Sequence, residues 1–252
     1  MKYLVTGHKG FIGSTLYQRL KKAGHTVYGL DLGDNFPTCR VDFVYHLAAY
    51  TNAYDSIDHP EIVIDNIQVT YEVLQWMRKT KSHKMIYTSS REAYRPMNPY
   101  GASKLMCEVL AEPYVQTYGL GVVNARLANI YGSGNKGYRF IHLCIERARE
   151  NKDIFIYGGK EKVVNFLHLN DCVDQLLKLQ GECQIGKSQT LEIAYPVSYL
   201  LYEVAERIIK KLGSKSKIVM VKGRRGEVMS YNPARVYDMP KINLDEGIDL
   251  CL

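Results

Sequence analysis

The chain has 252 residues, 46% of them apolar, and a formal net charge of +7, enough apolar material for a full core in one large domain or a domain with a smaller lobe. No apolar run approaches the ~20 residues that cross a bilayer, and MKYLVTG lacks the features of a secretory leader, so a cytoplasmic protein without membrane partners is expected. Six scattered cysteines without a CxxC pair argue against a metal site or disulfide framework, and lysines on helix faces such as RLKKAG and IIKKLG read as solvated surface rather than a nucleic-acid site.

Taken in chain order, KYLVTG (2–7) is strand-like, an amphipathic stretch over 11–23 ends at Gly24, and HTVYGLD and VDFVYHLAA are the next strands. A long helix follows from Glu61 to about Lys79, then the strand KMIYTSS, a helix from Pro99 toward Tyr118, and LGVVNARLAN. Apolar strands alternating with amphipathic helices predict an α/β fold, a doubly wound parallel sheet of Rossmann type with helices on both faces. Beyond Tyr131 the texture changes: the glycine-rich YGSGNKGY, the helix RFIHLCIERARE, the short strand IFIYGG, then NFLHL and a helix to Gln180. TLEIAY, YLLYEVAERIIKKLG and KIVMV complete the pattern. The expected organisation is a dinucleotide-binding domain over 1–131, with 163–195 contributing, and a small substrate-binding C-terminal lobe over 132–252.

Two motifs carry chemistry. TGHKGFIG (6–13) lies between the first strand and helix. Gly7, Gly10 and Gly13 permit a tight turn, close backbone approach to a pyrophosphate and close helix packing, and the helix N-terminus supplies N–H groups and partial positive charge. Asp31 stands 18 residues beyond Gly13 at the end of the next strand; a carboxylate there hydrogen-bonds ribose hydroxyls and repels a 2′-phosphate, which selects NAD over NADP. The second motif is NPYGASK (98–104), which puts Tyr100 and Lys104 at i and i+4 on one helix face. A phenol with pKa near 10 is a poor base at neutral pH, but an adjacent ammonium and a cationic nicotinamide stabilise the phenolate, giving a proton acceptor suited to a sugar hydroxyl. YTSS (87–90) ends the preceding strand, so Ser89 and Ser90 reach the carboxyl edge of the sheet, where ligands bind in such folds.

These motifs, with HLAA (46–49), RLANIYG (126–132), IYGGKEKVVNFLHLNDCVD (156–174) and RRGE (224–227), resemble the extended short-chain dehydrogenase/reductase family of NAD-dependent nucleotide-sugar epimerases and dehydratases along essentially the whole chain. The resemblance implies Tyr100 as base, Lys104 on the nicotinamide ribose and Ser90 as hydroxyl partner. It implies Phe11 and Ile12 N–H on the pyrophosphate, and Leu47, Ala48 and Ala49 along the cofactor. Ser89, Ser90, Glu92, Asn129 and Arg225 (or its neighbour Arg224) are the implied substrate contacts, a guanidinium being suited to a diphosphate. A homodimer through the helices over 61–79 and 99–117 is also implied.

The chain departs from the family in three places. Only about ten residues separate Asp31 from VDFVYHLAA, where relatives have another strand and helix, so the third strand, a sheet edge, is expected to be missing together with the usual adenine wall. Only five residues separate Tyr94 from Tyr100, which predicts a more open pocket. Val164 and Asn165 stand where relatives have Arg-Asp before the FxHxxD segment, so Arg225, Arg139 or Lys160 must supply phosphate-binding charge. His46, His142 and His168 are read as packing residues, and Trp76 as packing between helices or at a dimer interface. The activity expected is an NAD-dependent nucleotide-sugar 4-epimerase of the UDP-glucose/UDP-galactose type. The alternatives are a 4,6-dehydratase or decarboxylase, suggested by Glu92 but lacking the preceding aspartate, and a non-catalytic dinucleotide-binding sensor.

Overall fold

Strands buried on both faces read as unbroken apolar runs, and FVYH, every residue of which is buried, is such a strand. The structure is a computed structural model describing residues 1–134 and 139–252. In chain order its elements are β1 (Lys2–Thr6), α1 (Phe11–Lys22), β2 (Thr26–Leu30), β3 (Phe43–His46), α2 (Asp55–Asp58), α3 (Ile64–Thr80), β4 (Lys84–Ser90), α4 (Pro99–Tyr118), β5 (Gly121–Leu127) and β6 (Asn129–Tyr131). They continue as α5 (Phe140–Arg149), β7 (Ile154–Tyr157), β8 (Val163–Val164), β9 (Phe166–His168), α6 (Leu169–Lys178), β10 (Ser188–Ile193), β11 (Tyr199–Leu200), α7 (Leu201–Leu212), β12 (Ile218–Val221) and α8 (Leu244–Asp249). The last four residues of YGSGNKGY lie outside the described residues. Among the described residues no helix is long and apolar enough to cross a membrane.

The chain forms two units, Met1–Leu127 with Val173–Leu191, and Ala128–Cys172 with Glu192–Leu252. The first holds the large sheet, in the order β10-β5-β4-β3-β1-β2, with parallel pairing of β1 to β2 and β3, β3 to β4 and β4 to β5. Its core draws on Leu4, Val44, Leu74, Met77, Met85, Tyr87 and Val122. The second has its own core around Ile141, Ile145, Ile156, Phe166, Val204 and Ile208. The first unit breaks at Leu127, four residues before the expected 131. The reason is pairing: β6 runs parallel to β9, Asn129 opposite Phe166, and so separates from β5 along with it.

The third strand is missing as the chain-length argument required. β2 is the sheet edge, and residues 31–42 return to β3 without a helix. What replaces the helix is a side chain. Trp76 of α3 donates its indole N–H to the Pro37 carbonyl at 2.8 Å and stacks on Phe36 at 5.8 Å between ring centroids, while Val41 N–H donates to Ser82 Oγ at 3.0 Å. Trp76, expected between helices or at a dimer interface, therefore anchors the shortened crossover.

Candidate active site

The turn from β1 into α1 is closed by contacts that only glycine permits. Gly7 has φ +69, and a Cβ there would stand 2.8 Å from Ala48 N; a Cβ on Gly13 would stand 2.1 Å from the Gly7 carbonyl oxygen. Gly10 is the N-cap of α1 and offers no side chain, so the N–H groups of Phe11 and Ile12, which have no intrahelical acceptor, remain for an anion. Asp31, at the end of β2, accepts from Lys9 N–H at 3.1 Å and from Leu32 N–H at 3.1 Å. That holds a carboxylate beside the glycine turn. His8 was not singled out in the sequence, yet its ring stands where a Cβ on Gly29 would fall and lies 4.0 Å from Asp31.

Behind the turn runs a line of hydrogen bonds whose direction follows from donor and acceptor inventory. Thr6 Oγ1 accepts from the N–H groups of Leu47 and Ala48, both at 3.1 Å, so its proton goes to His46 Nδ1 at 2.7 Å. His46 Nε2–H then donates to Thr70 Oγ1 at 3.0 Å, and Thr70 donates to the Asn66 carbonyl. His46 is fully buried, and burial first, then the Lys104 charge, pulls its pKa down to about 3. It is a neutral core histidine.

The start of α4 is built by its own sequence. Asn98 caps it, accepting from Gly101 N–H at 2.8 Å, and Pro99 fills the first helical position. Tyr100 is 9% exposed. One turn on, Lys104 lies almost wholly buried with its ammonium 4.7 Å over the Tyr87 ring, a cation–π contact. Burial pushes the Lys104 pKa down to about 8, while Cys107 and Glu108 oppose that shift. Tyr87 is itself held neutral, its pKa raised by burial.

Successive strand residues point to opposite faces, and the serine pair separates accordingly. Ser89 donates its hydroxyl proton to Glu108, which also takes a two-pronged contact from Arg126, Nε at 2.9 Å and Nη2 at 2.7 Å. Ser89, expected with Ser90 at the substrate, has its hydroxyl engaged by Glu108 inside the fold. Ser90 Oγ accepts from Glu92 N–H at 3.2 Å and keeps its own proton to donate. Glu92 accepts from Asn98 Nδ2 at 2.6 Å and lies 3.8 Å from Arg91. A Cβ on Gly101 would stand 2.7 Å from the Glu92 carbonyl oxygen. The end of β4 and the start of α4 are therefore pressed together, which brings Ser90 to the turn that carries Tyr100.

Asn129 and Arg225 belong to the second unit. Asn129 directs both its backbone N–H and its Nδ2 to the Asn165 carbonyl at 3.1 Å, and Arg225 is exposed. Arg224 lies 3.8 Å over the Tyr157 ring, and Lys160 lies 5.2 Å over Tyr202. Val164 is buried. Asn165 is fully buried and closes the 195–198 turn, donating to the Tyr195 carbonyl and accepting from Tyr195 N–H. Position 165 is thus structural in this chain. His168 packs edge-on against Tyr131, its pKa lowered by burial. Among the described residues no three His, Cys, Asp or Glu side chains gather to hold a metal ion.

A parallel six-stranded sheet entered by a glycine turn into its first helix defines a Rossmann-like fold for a dinucleotide. The chain belongs to the NAD dependent epimerase/dehydratase family, whose model matches residues 3–194. An uncharacterized UDP-glucose epimerase of Bacillus subtilis is 26% identical over 232 residues, 72% of this chain and 73% of that one. A dTDP-D-glucose 4,6-dehydratase of Dictyostelium discoideum is also 26% identical, over 268 residues, 82% of this chain and 61% of that one. Among solved structures, the UDP-glucose 4-epimerase of Thermotoga maritima with UDP-glucose superposes with a TM-score of 0.91 at 23% identity, covering 99% of this chain and 97% of that one. NAD is the cofactor of this family. The glycine cradle, the partnerless N–H groups of α1 and the carboxylate of Asp31 suit its pyrophosphate and ribose.

Proposed function

We propose that this protein is an NAD-dependent nucleotide-sugar 4-epimerase of the UDP-glucose/UDP-galactose type. The observation that carries the reading is a division of labour among side chains of the first unit. Ser90 ends β4, and Tyr100 and Lys104 stand one turn apart at the start of α4, the element packed against that strand end, whereas the Glu92 carboxylate is engaged by Asn98 beside Arg91. Epimerisation at C4 needs one group that takes and returns a proton at one oxygen. Dehydration needs a further acid and base at C5 and C6, and an arginine occupies position 91.

NAD, when bound, would supply a reversible hydride acceptor for C4. Phe11 and Ile12 would hold its pyrophosphate through backbone N–H, Asp31 would take the adenosine ribose hydroxyls, and Leu47, Ala48 and Ala49 would line it. Tyr100 accepts the proton of the 4-hydroxyl and gives it back. Lys104 holds the nicotinamide ribose and stabilises the phenolate with its charge. Ser90 donates its free proton to the same sugar oxygen. Asn129 and Arg225 are, by resemblance, the proposed contacts of the diphosphate. The 4-keto sugar turns over between the two transfers, which the short 95–99 loop accommodates.

Incubation with UDP-glucose and NAD is expected to yield UDP-galactose, identified by sugar analysis. A 4-keto-6-deoxy product would replace the reading with a dehydratase, and tight NAD binding without conversion of any nucleotide sugar would favour a sensor.

We infer further that two copies pair through α3 and α4, which expose Ile64, Tyr71, Met106, Val109 and Tyr118, a set of large apolar side chains of the kind that marks an interface. Val109→Glu is expected to halve the mass seen in sedimentation equilibrium; a monomeric wild type would remove the inference.

A further inference from the structure

The peptide unit of Tyr100 is gripped at both ends. Pro99 has no N–H, and the N–H groups of Gly101 and Ala102 go to Asn98, at 2.8 and 3.1 Å. Tyr100 N–H has no acceptor within its helix, and it reaches Ser56 Oγ, 44 residues earlier in the chain, at 3.1 Å. Ser56 is fully buried and passes its own proton to the Ala53 carbonyl at 2.6 Å. At the other end, the Tyr100 carbonyl accepts from Ser103 Oγ at 2.8 Å. Ser103 in turn accepts from Asn66 Nδ2 at 3.0 Å, and the Asn66 amide clasps the backbone of Tyr50 by N–H and carbonyl, at 2.6 and 3.1 Å. Tyr50 begins the segment that leads to Ser56, so the contacts close into a ring.

We propose that Ser56 is a positioning residue for Tyr100, its hydroxyl fixing the backbone of the proton acceptor against the 53–56 turn. The proposal rests on the reading of Tyr100 as the base. Ser56 touches no reacting atom; it acts through the peptide that carries one. Misplacing a reacting group by about 1 Å costs up to a hundredfold in rate, so an anchor at this peptide shows in turnover before it shows in binding.

The test compares two truncations. Ser56→Ala leaves the Tyr100 N–H facing a methyl group. Ser56→Gly leaves room for a water with two partners there, the Tyr100 N–H and the Ala53 carbonyl, although glycine is the poorer helix residue. With UDP-glucose and NAD, Ser56→Ala is expected to lower kcat roughly ten- to a hundredfold with KM within twofold. Ser56→Gly is expected to turn over faster than Ser56→Ala while unfolding at a lower temperature. A purely structural serine predicts the same order for both quantities, and that result, equal losses in the two variants, or turnover within twofold of wild type, overturns the proposal. Tyr100→Phe serves as the reference. If it stays active, the base reading falls and the proposal with it; if it is inactive while both Ser56 variants are active, Ser56 alone is wrong. A further readout does not depend on the sugar: in NAD-loaded protein the Tyr100 amide proton is expected to exchange at least tenfold faster in Ser56→Ala, and unchanged exchange overturns the assignment.

Discussion

Tyr100→Phe is expected to lower turnover of UDP-glucose by about two to four orders of magnitude, the range for loss of a positioned proton-transfer group, with NAD still bound and the fold intact. The ring is 9% exposed and stays in place in the variant; only the hydroxyl goes. Asn98, Ser56 and Ser103 hold the backbone and are untouched by the change. Lys104, one helical turn on and proposed to stabilise the phenolate, sets a pH limit on the wild type. Lys104 has its pKa pushed by burial from 10.5 down to about 8, so its charge is present below about pH 8 and lost above it, and kcat should fall on that alkaline limb. Stability responds with the opposite sign. Between about 8 and 10.5 the unfolded chain keeps a proton that folded Lys104 has released, so this group favours the fold increasingly as pH rises. Subtracting the stability of Lys104→Met from that of wild type across the window isolates the effect. A rate that is flat to pH 10, or a phenylalanine variant with wild-type turnover, would defeat the mechanism.

Glu108→Ala is expected to be the most destabilising single change near the site. Glu108 is 7% exposed, accepts from Ser89, and takes Nε and Nη2 of Arg126 at 2.9 and 2.7 Å. Truncating it leaves the guanidinium without that carboxylate in a largely buried place, at a cost of about 3–5 kcal/mol. For a chain of this size that corresponds to a melting temperature roughly 10 °C lower. Replacing both partners by apolar residues removes the stranded charge, so the double variant Glu108→Leu with Arg126→Met should be more stable than Glu108→Ala. Thermal unfolding of the single and double variants decides it. A single variant within ~1 kcal/mol of wild type would show that the pair contributes only as a surface bridge does.

Both variants probe contacts that differ in how far the chain reveals them. The glycine turn, Asp31, and the pairing of Tyr100 with Lys104 were legible in the sequence, because each rests on residues a few positions apart or at matching ends of adjacent strands. The missing third strand was legible too, since a ten-residue connection is too short for a strand and a helix. The bond from Ser89 to Glu108 was not legible. The neighbour of Ser89 on β4 has the same chemistry, and only the alternation of the strand against α4 shows which serine turns inward to Glu108. Trp76 gave no sign of its partner, because Pro37 stands 39 residues earlier in a loop without a pattern of its own.

By itself the sequence determined the class of fold, the glycine cradle for a dinucleotide and the helical face that carries a phenol beside an amine. All of these follow from covalent spacing and from the periods of strand and helix. The tertiary structure decided which groups support that face: Ser56 on the N–H of Tyr100, Glu108 between Ser89 and Arg126, Thr6 and Thr70 on the two nitrogens of His46. Partners separated by 18 to 44 residues meet only after β3 has settled beside β1 and β4. Buried polar groups then take the acceptors that this arrangement places within reach, and local spacing carries no record of which those are.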